Sequence, residues 1–241
     1  MIKSNNFGYT KVTNTQKTKL VQKVFSDVAS NYDLMNDIMS LGAHRLWKKR
    51  FIELINPLKH ECIVDVGSGS GDIAKEILKT NFIGKLHLVD LNKKMLDLGK
   101  KNIKNENVFF HLENAENLKF KNNSFDKYLI SFCLRNISNI DKSINEAYRI
   151  LKPGGQYFCL EFSNPESIFI SKIYKQYKSF LPIIGKIIAN DKKSYNYLSE
   201  SIDLFPNKEK LKKKLVNLGF SNVTFINMFD GIVTIHKAYK I

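Results

Sequence analysis

The strongest chemical signal in the 241-residue chain is Ile63-Val64-Asp65-Val66-Gly67-Ser68-Gly69-Ser70-Gly71-Asp72. An apolar strand runs into three alternating glycines and then into a helical pattern of Ile73, Ala74, Ile77 and Leu78. Glycines at every second position strip the turn of Cβ atoms, so a ligand can lie against backbone N–H groups where the helix begins. The ligand expected there is nucleotide-like. Its charge follows from the carboxylates. A dinucleotide fingerprint counted from Gly67 fits Gly67 and Gly69 but needs a third glycine where this chain has Asp72. Asp72 would repel a pyrophosphate, and Asp65 adds a second negative charge, which suits a ligand with positive charge and no phosphate. S-adenosylmethionine, with its sulfonium and ammonium groups, meets that description. The alternative is a glycine-rich turn that binds nothing.

Other residues are placed to complete such a site. Asp90 ends a second strand about twenty residues after the glycines, where an acid can accept both hydroxyls of a ribose; that serves NAD and S-adenosylmethionine alike. Glu113-Asn114-Ala115-Glu116 follows a third strand and either edges an adenine ring or is a plain surface turn. Ser131 to Asn136 close a fourth strand. Ligands of open parallel sheets sit outside the carboxyl ends of the strands, so this segment should face the same cleft as Gly67 to Gly71. The tetrapeptide Asn-Pro-Pro-Tyr, carried here by many enzymes that methylate exocyclic amino groups of bases, is absent. Upstream, Tyr32 to Trp47 crowds polar and ionisable groups among apolar ones; it either folds over the sheet to close a ligand site or is ordinary helix packing.

The elements that must hold these residues read as alternating helix and strand. Leu20, Val21, Val24, Phe25 and Val28 predict an amphipathic helix ending near Asn31, and Trp47, Phe51, Leu54 and Ile55 a second, broken at Pro57. Strands are expected at Ile63 to Val66, Lys85 to Val89, Val108 to Leu112, Phe125 to Phe132 and Gln156 to Phe162. Helices are expected at Lys93 to Lys101 and Lys142 to Leu151, the latter stopped by a turn at Lys152-Pro153-Gly154-Gly155. Ile168 to Ala189 is apolar and aromatic at near-helical spacing and should break at Pro182 and Gly185, giving either a lid over an apolar substrate or a helix pair packed on the domain. Lys208 to Leu218 is the last helix, and Val223 to Met228 pairs with Ile232 to Ala238. This alternation predicts one α/β domain.

A formal charge of +15 invites a nucleic-acid or anionic-membrane partner, yet 4 of the 38 basic residues are Arg, the side chain that reads phosphates and bases bidentately. The charge reads either as a Lys-, Asn- and Ile-rich composition drifted toward A/T-rich codons or as weak attraction to acidic lipid surfaces. Cys62, Cys133 and Cys159 form no paired motif and read as buried reduced thiols, with no metal site expected. The polar N-terminus has no apolar signal region and no apolar run reaches membrane-spanning length, so a cytoplasmic protein, at most peripheral on the inner face of the membrane, is expected.

Two stretches carry a family resemblance: Tyr32-Asp33-Leu34-Met35-Asn36 through His44-Arg45-Leu46-Trp47, and Arg149-Ile150-Leu151-Lys152-Pro153-Gly154-Gly155 through Leu160-Glu161-Phe162-Ser163. Ser131-Phe132 with Leu134-Arg135-Asn136, and Ala189-Asn190-Asp191 with Ser194-Tyr195 and Tyr197-Leu198, are similar too. With these the whole chain resembles the ubiquinone/menaquinone biosynthesis C-methyltransferases. The resemblance implies a Rossmann-like class I methyltransferase fold: a mostly parallel seven-stranded sheet with helices on both faces, a helical cap over residues 1–60 and a lid-like insertion over 164–205. It implies S-adenosylmethionine as cofactor, held by Ser70, Asp90, Asn114, Ala115 and Ser131, beside the Asp65, Gly67 and Gly69 that the glycine turn itself points to. Ser70 stands where many members have Thr, and Cys133 where Gly is usual.

The activity so implied is methyl transfer to a ring carbon of a polyprenylated quinol. Carbon becomes nucleophilic when a neighbouring ring hydroxyl loses its proton, so the reduced quinol is required. Arg135 is expected to stabilise the developing phenolate with Asn136 beside it, while Tyr32, Asp33 and His44 are candidates for the proton acceptor. Expected partners are the quinol itself and a membrane surface, with room for other quinone-biosynthesis enzymes and a homodimer; no nucleic acid is expected. The competing readings are a catalytically idle S-adenosylmethionine-binding scaffold and an RNA methyltransferase.

Overall fold

The computed structural model describes residues 4–189 and 192–241. Two short antiparallel strands, β1 (Ser4–Phe7) and β2 (Thr10–Thr13), precede helix α1 (Asn14–Val28). The helix starts earlier than its apolar periodicity predicts because Thr13 and Gln16 form a capping box. The Gln16 N–H donates to Thr13 Oγ at 3.2 Å, and the Thr13 N–H donates to Gln16 Oε1 at 2.8 Å. Helices α2 (Tyr32–Ser40) and α3 (His44–Ile55) follow. The glycine strand is β3 (Cys62–Val66), leading into α4 (Asp72–Leu78). Then come β4 (Lys85–Asp90), α5 (Lys93–Asn102), β5 (Val108–Leu112), β6 (Phe125–Ser131), α6 (Ile140–Ile150) and β7 (Leu151–Phe162). The chain closes with α7 (Ile168–Ala189), α8 (Lys192–Leu204), α9 (Lys208–Asn217), β8 (Ser221–Met228) and β9 (Val233–Tyr239).

Seven strands form one sheet in the order β5-β4-β3-β6-β7-β9-β8, parallel except for β9, which runs against both neighbours. The expected mostly parallel seven-stranded sheet is therefore present. Successive side chains of its strands serve opposite faces. Ile63, Leu86, Leu129 and Phe158 pack with Trp47, Phe51 and Ile77 on one side, while Val64, Tyr128, Ile130 and Tyr157 pack with Ile144 and Leu211 on the other. With both faces covered, a strand such as β3 must be apolar throughout, and its one acid, Asp65, is fully buried. Strand order reverses at β3, whose neighbours are β4 and β6, and a crevice opens at the carboxyl ends there.

Three local expectations change. Residues 152–155 are not a free turn but the irregular entry to β7, where Phe125 pairs with Leu151 and Lys127 with Gln156, leaving a bulge that turns at Gly154 with φ of +80°. Gly154 and Gly155 exchange backbone hydrogen bonds with Lys240, which ties the bulge to the end of the chain. Helix α7 continues through Pro182 and Gly185. Gly185 is a contact rather than a break, since a Cβ there would sit 2.3 Å from the Tyr195 ring of α8. Finally, only Cys159 is buried; Cys62 and Cys133 are half-buried free thiols. Asn190 and Asp191 of the motif beginning at Ala189 lie outside the described residues.

Candidate active site

The glycine turn is held in place by β4. Gly67 and Ser68 donate to the Val89 carbonyl at 2.8 and 3.0 Å, Gly71 donates to the Ser68 carbonyl at 2.9 Å, and Gly69 donates to Asp90 Oδ2 at 2.8 Å. These N–H groups are therefore spoken for, and α4 spans only 7 residues. The turn is a surface for close approach, and the N–H groups of Gly67, Ser68, Gly69 and Gly71, against which a ligand was expected to lie, already have partners. Positive φ at Gly67 (+69°) and Gly69 (+56°) needs glycine, and a Cβ on Gly67 would lie 2.1 Å from Cys133 Sγ.

A cavity enclosing about 800 Å³, open solvent included, lies against this turn. Gly67, Gly69, Asp90, Asn114, Ala115 and Ser131 line it, as does Asn136. Asp90 accepts from the Asn92 N–H at 2.7 Å as well as from Gly69, leaving lone pairs on both oxygens for a diol. Burial pushes its carboxyl pKa up, against the pull of those backbone donors.

Helix α1 is strapped across this cavity with Thr18, Val21, Gln22 and Phe25 on its wall. At one end Gln22 donates to the Leu91 carbonyl at 3.0 Å, and Asn92 donates to Gln22 O and Ser26 Oγ at 2.9 and 2.8 Å. At the other, buried Lys17 donates to the Ile137 carbonyl at 3.0 Å, and Thr18 and Ser138 hydroxyls meet at 2.8 Å. Desolvation lowers the Lys17 pKa to about 8. Sequence periodicity identified this helix but not its work as a wall, because the partners lie 66 to 120 residues away.

Asp65 sits behind the turn, 0% exposed, and neither carboxylate oxygen has a hydrogen-bond partner among the described residues; the Ser68 hydroxyl is also unpartnered. Burial, with Asp90 and Asp72 nearby, pushes the Asp65 pKa up to about 8 despite Lys48. An uncompensated acid at this depth fits an arriving cation. Asp72 does not share that role. It pairs with Lys48 at 2.7 Å and Lys75 at 3.3 Å, and these lysines hold its carboxyl pKa below the ordinary value although burial opposes them. Ser70 lines neither this cavity nor the next; its hydroxyl donates to Asp72 at 3.3 Å.

A second chamber of about 680 Å³ meets the first at Phe25, Tyr32, Gly67, Ser131 and Phe132. His44, Arg135, Trp47 and Phe162 belong to its wall. Burial raises the Tyr32 phenol far above its usual range, so it is a donor and not a base. His44 Nε2 lies 2.9 Å from Asp37 Oδ1, and its Nδ1 has no partner among the described residues. Burial holds the imidazole pKa below its ordinary value, against the opposing pull of Asp37. Arg135 is locked from behind: its guanidinium donates to Glu161 and, at 2.7 Å, to the Phe132 carbonyl, and it lies 5.1 Å over the Phe162 ring.

The cap residues separate. Tyr32 and His44 reach the second chamber, while Asp33 is exposed and lines neither. Asn136 faces the first chamber and not the acceptor side, because Tyr197 holds its Oδ1 at 2.8 Å. Sequence reading missed Asp37, Lys48 and Glu161 as partners; each meets its ion across a change of element, where no local spacing signals it.

Known proteins share both the sequence and the fold. A model of the ubiE/COQ5 methyltransferase family matches residues 10–240. A protein of Rickettsia felis named ubiquinone/menaquinone biosynthesis C-methyltransferase UbiE is 47% identical, the alignment covering 98% of each chain. One of the same name from Hydrogenovibrio crunogenus is 43% identical over 99% of this chain and 96% of its own. Among solved structures, a SAM-dependent methyltransferase of Thermotoga maritima superposes with a TM-score of 0.67 at 20% identity, over 92% of this chain and 100% of that one. A phosphoethanolamine N-methyltransferase of Haemonchus contortus, in complex with S-adenosyl-L-methionine, gives 0.60 at 20% identity over 80% and 52%. At that identity the two structures speak for the fold.

Proposed function

The chain belongs to the ubiE/COQ5 methyltransferase family, and from that premise we propose that it transfers the methyl group of S-adenosylmethionine to a ring carbon of a polyprenylated benzoquinol or demethylmenaquinol. The observation that carries this reading is the meeting of two chambers at Gly67, Tyr32, Ser131 and Phe132. One has the diol acceptor Asp90; the other is walled by aromatics around one histidine and one arginine, with the Lys48–Asp72 pair at its edge, and the buried Asp65 lies behind the turn they share, lining neither. All four arginines are engaged in ion pairs within the chain, which supports this reading over an RNA methyltransferase.

The residues present fit the cofactor. Asp90 would take the ribose hydroxyls, Asn114 and Ala115 the adenine edge, Asp65 and Ser68 the ammonium end, and Ser131 with Gly67 and Gly69 the middle. When bound, it supplies an electrophilic methyl on a sulfonium. The chain's side chains do the rest. His44, uncharged at neutral pH and oriented by Asp37, accepts the ring-hydroxyl proton at Nδ1. Arg135 keeps a positive charge at the chamber wall for the phenolate, and Glu161 fixes where that charge sits. Asn136 holds the loop between the chambers rather than touching the acceptor. Tyr32, a standing donor, separates the two ligands. Residues 1–60 act as the cap and 164–205 as the lid, and the Lys-rich surface with the apolar face of α7 attaches the enzyme reversibly to anionic membrane. Among the described residues no helix is long and apolar enough to cross a membrane.

Product analysis tests the reading. Incubation with methyl-labelled S-adenosylmethionine and a short-chain demethylated quinol should place label on a ring carbon, and the oxidised quinone should take none. Bound cofactor with no labelled product from either quinol class would refute it in favour of an idle scaffold.

A further inference from the structure

The acceptor chamber does not end at Trp47. A groove of about 950 Å³ continues from it, sharing Met39, Ser40, Trp47 and Phe162 with the chamber and reaching Leu41, Ile173 and Phe229 beyond them. Among the described residues, none that lines it is charged. The Tyr177 hydroxyl, one of its few polar groups, is occupied as a donor to the Ile38 carbonyl. With few polar groups and no charge among its described lining residues, such a groove suits a flexible hydrocarbon better than a polar ligand.

Two of its outer residues are held there against local preference. Leu41, 78% exposed, has φ of +50°, and Phe229, 51% exposed, has φ of +49°. Bulky side chains rarely adopt this left-handed backbone, and an apolar side chain facing water gains nothing from it. Strain kept in two separate turns, one between α2 and α3 and one between β8 and β9, points to a use for the side chains so displayed. Ile173 of α7, 51% exposed, lines the same groove.

We propose that this groove receives the isoprenoid tail of the acceptor while its ring occupies the adjoining chamber, with Leu41, Ile173 and Phe229 as the lips over which the tail passes. This rests on the quinol reading above, and continuity of the walls is what commits the groove to a tail and not to a separate ligand. Trp47 stands at the junction, with its ring centroid 5.9 Å from those of both Phe132 and Phe229. It is the only tryptophan in the chain, so its fluorescence reports on the junction without interference.

The test uses the full chain and a Leu41→Asn/Phe229→Asn double variant. Asn tolerates the left-handed backbone, so folding should be preserved or improved while the apolar lips are removed. Geranylgeraniol, an isoprenoid alcohol without a quinol ring, should change Trp47 emission saturably in the wild type, and the variant should need about tenfold more of it. With turnover as the readout, the variant's KM should rise about tenfold for a long-tailed quinol and stay within about twofold for a short-chain one. No saturable change in the wild type, an unchanged geranylgeraniol affinity in the variant, or equal losses for both quinols overturns the proposal. Saturation by geranylgeraniol with neither quinol methylated supports the groove as an isoprenoid site and refutes the acceptor reading instead.

Discussion

Replacing Asp65 with Asn should abolish a proton that the wild-type protein releases when it binds S-adenosylmethionine. Asp65 is fully buried, its oxygens have no partner among the described residues, and its pKa stands at about 8. At pH 7 the free protein therefore holds this carboxyl about 90% protonated. A bound ammonium favours the carboxylate, so binding expels about 0.9 proton, and affinity should rise about tenfold from pH 6 to pH 7. The same shift has a stability cost with a definite sign. A carboxyl whose pKa is raised on folding from 3.8 to about 8 contributes stability that is complete below pH 3.8 and is lost as pH rises through 8. Over roughly four units at about 1.4 kcal/mol each, that loss is on the order of 5 kcal/mol in the ligand-free protein. Asp65→Asn should flatten the dependence and make the free protein more stable than wild type above pH 8. Titration calorimetry at pH 7 in phosphate and in Tris measures the proton release, and denaturant melts from pH 5 to 9 measure the stability. Wild-type binding heats that agree between the two buffers, or an Asp65→Asn variant that releases the same proton, would refute the reasoning.

Asp90→Ala should weaken cofactor binding by about 1.5 to 3 kcal/mol, the scale of a hydrogen bond to a charged group, as read by calorimetry. Arg135→Ala should cut turnover about a hundredfold and also destabilise the fold by about 3–5 kcal/mol, because it strands Glu161. The Arg135→Met/Glu161→Leu pair should recover the melting temperature but not turnover, which separates the two roles. Gly185→Ala should cost about 1–3 kcal/mol in a urea melt, through its clash with Tyr195. Flotation with anionic vesicles should recover the protein at low salt and lose it at high salt; equal flotation with neutral vesicles would remove the lysines from the attachment.

Much of this was legible along the chain, because the relevant physics is local. Strand and helix positions follow from which residues repeat at period 2 or 3.6, and a doubly covered parallel sheet forces β3 to read as an unbroken apolar run with a single acid. Asp90 could be placed by counting, since the βαβ unit fixes how far the second strand tip lies from the first. Tertiary structure decided what the polar residues do there. Gly67 to Gly71 promised free N–H groups, but β4 takes those of Gly67, Ser68 and Gly69, and the turn itself takes that of Gly71. Asp72 and Asp65 looked alike in sequence; only packing gives Asp72 two lysines and leaves Asp65 with no hydrogen-bond partner among the described residues. Arg135 reads as a free charge until β7 delivers Glu161 behind it, 26 residues away. Whether a charge is available depends on which opposite charge, and how little water, folding brings within a few ångströms, and no spacing along the chain encodes that distance.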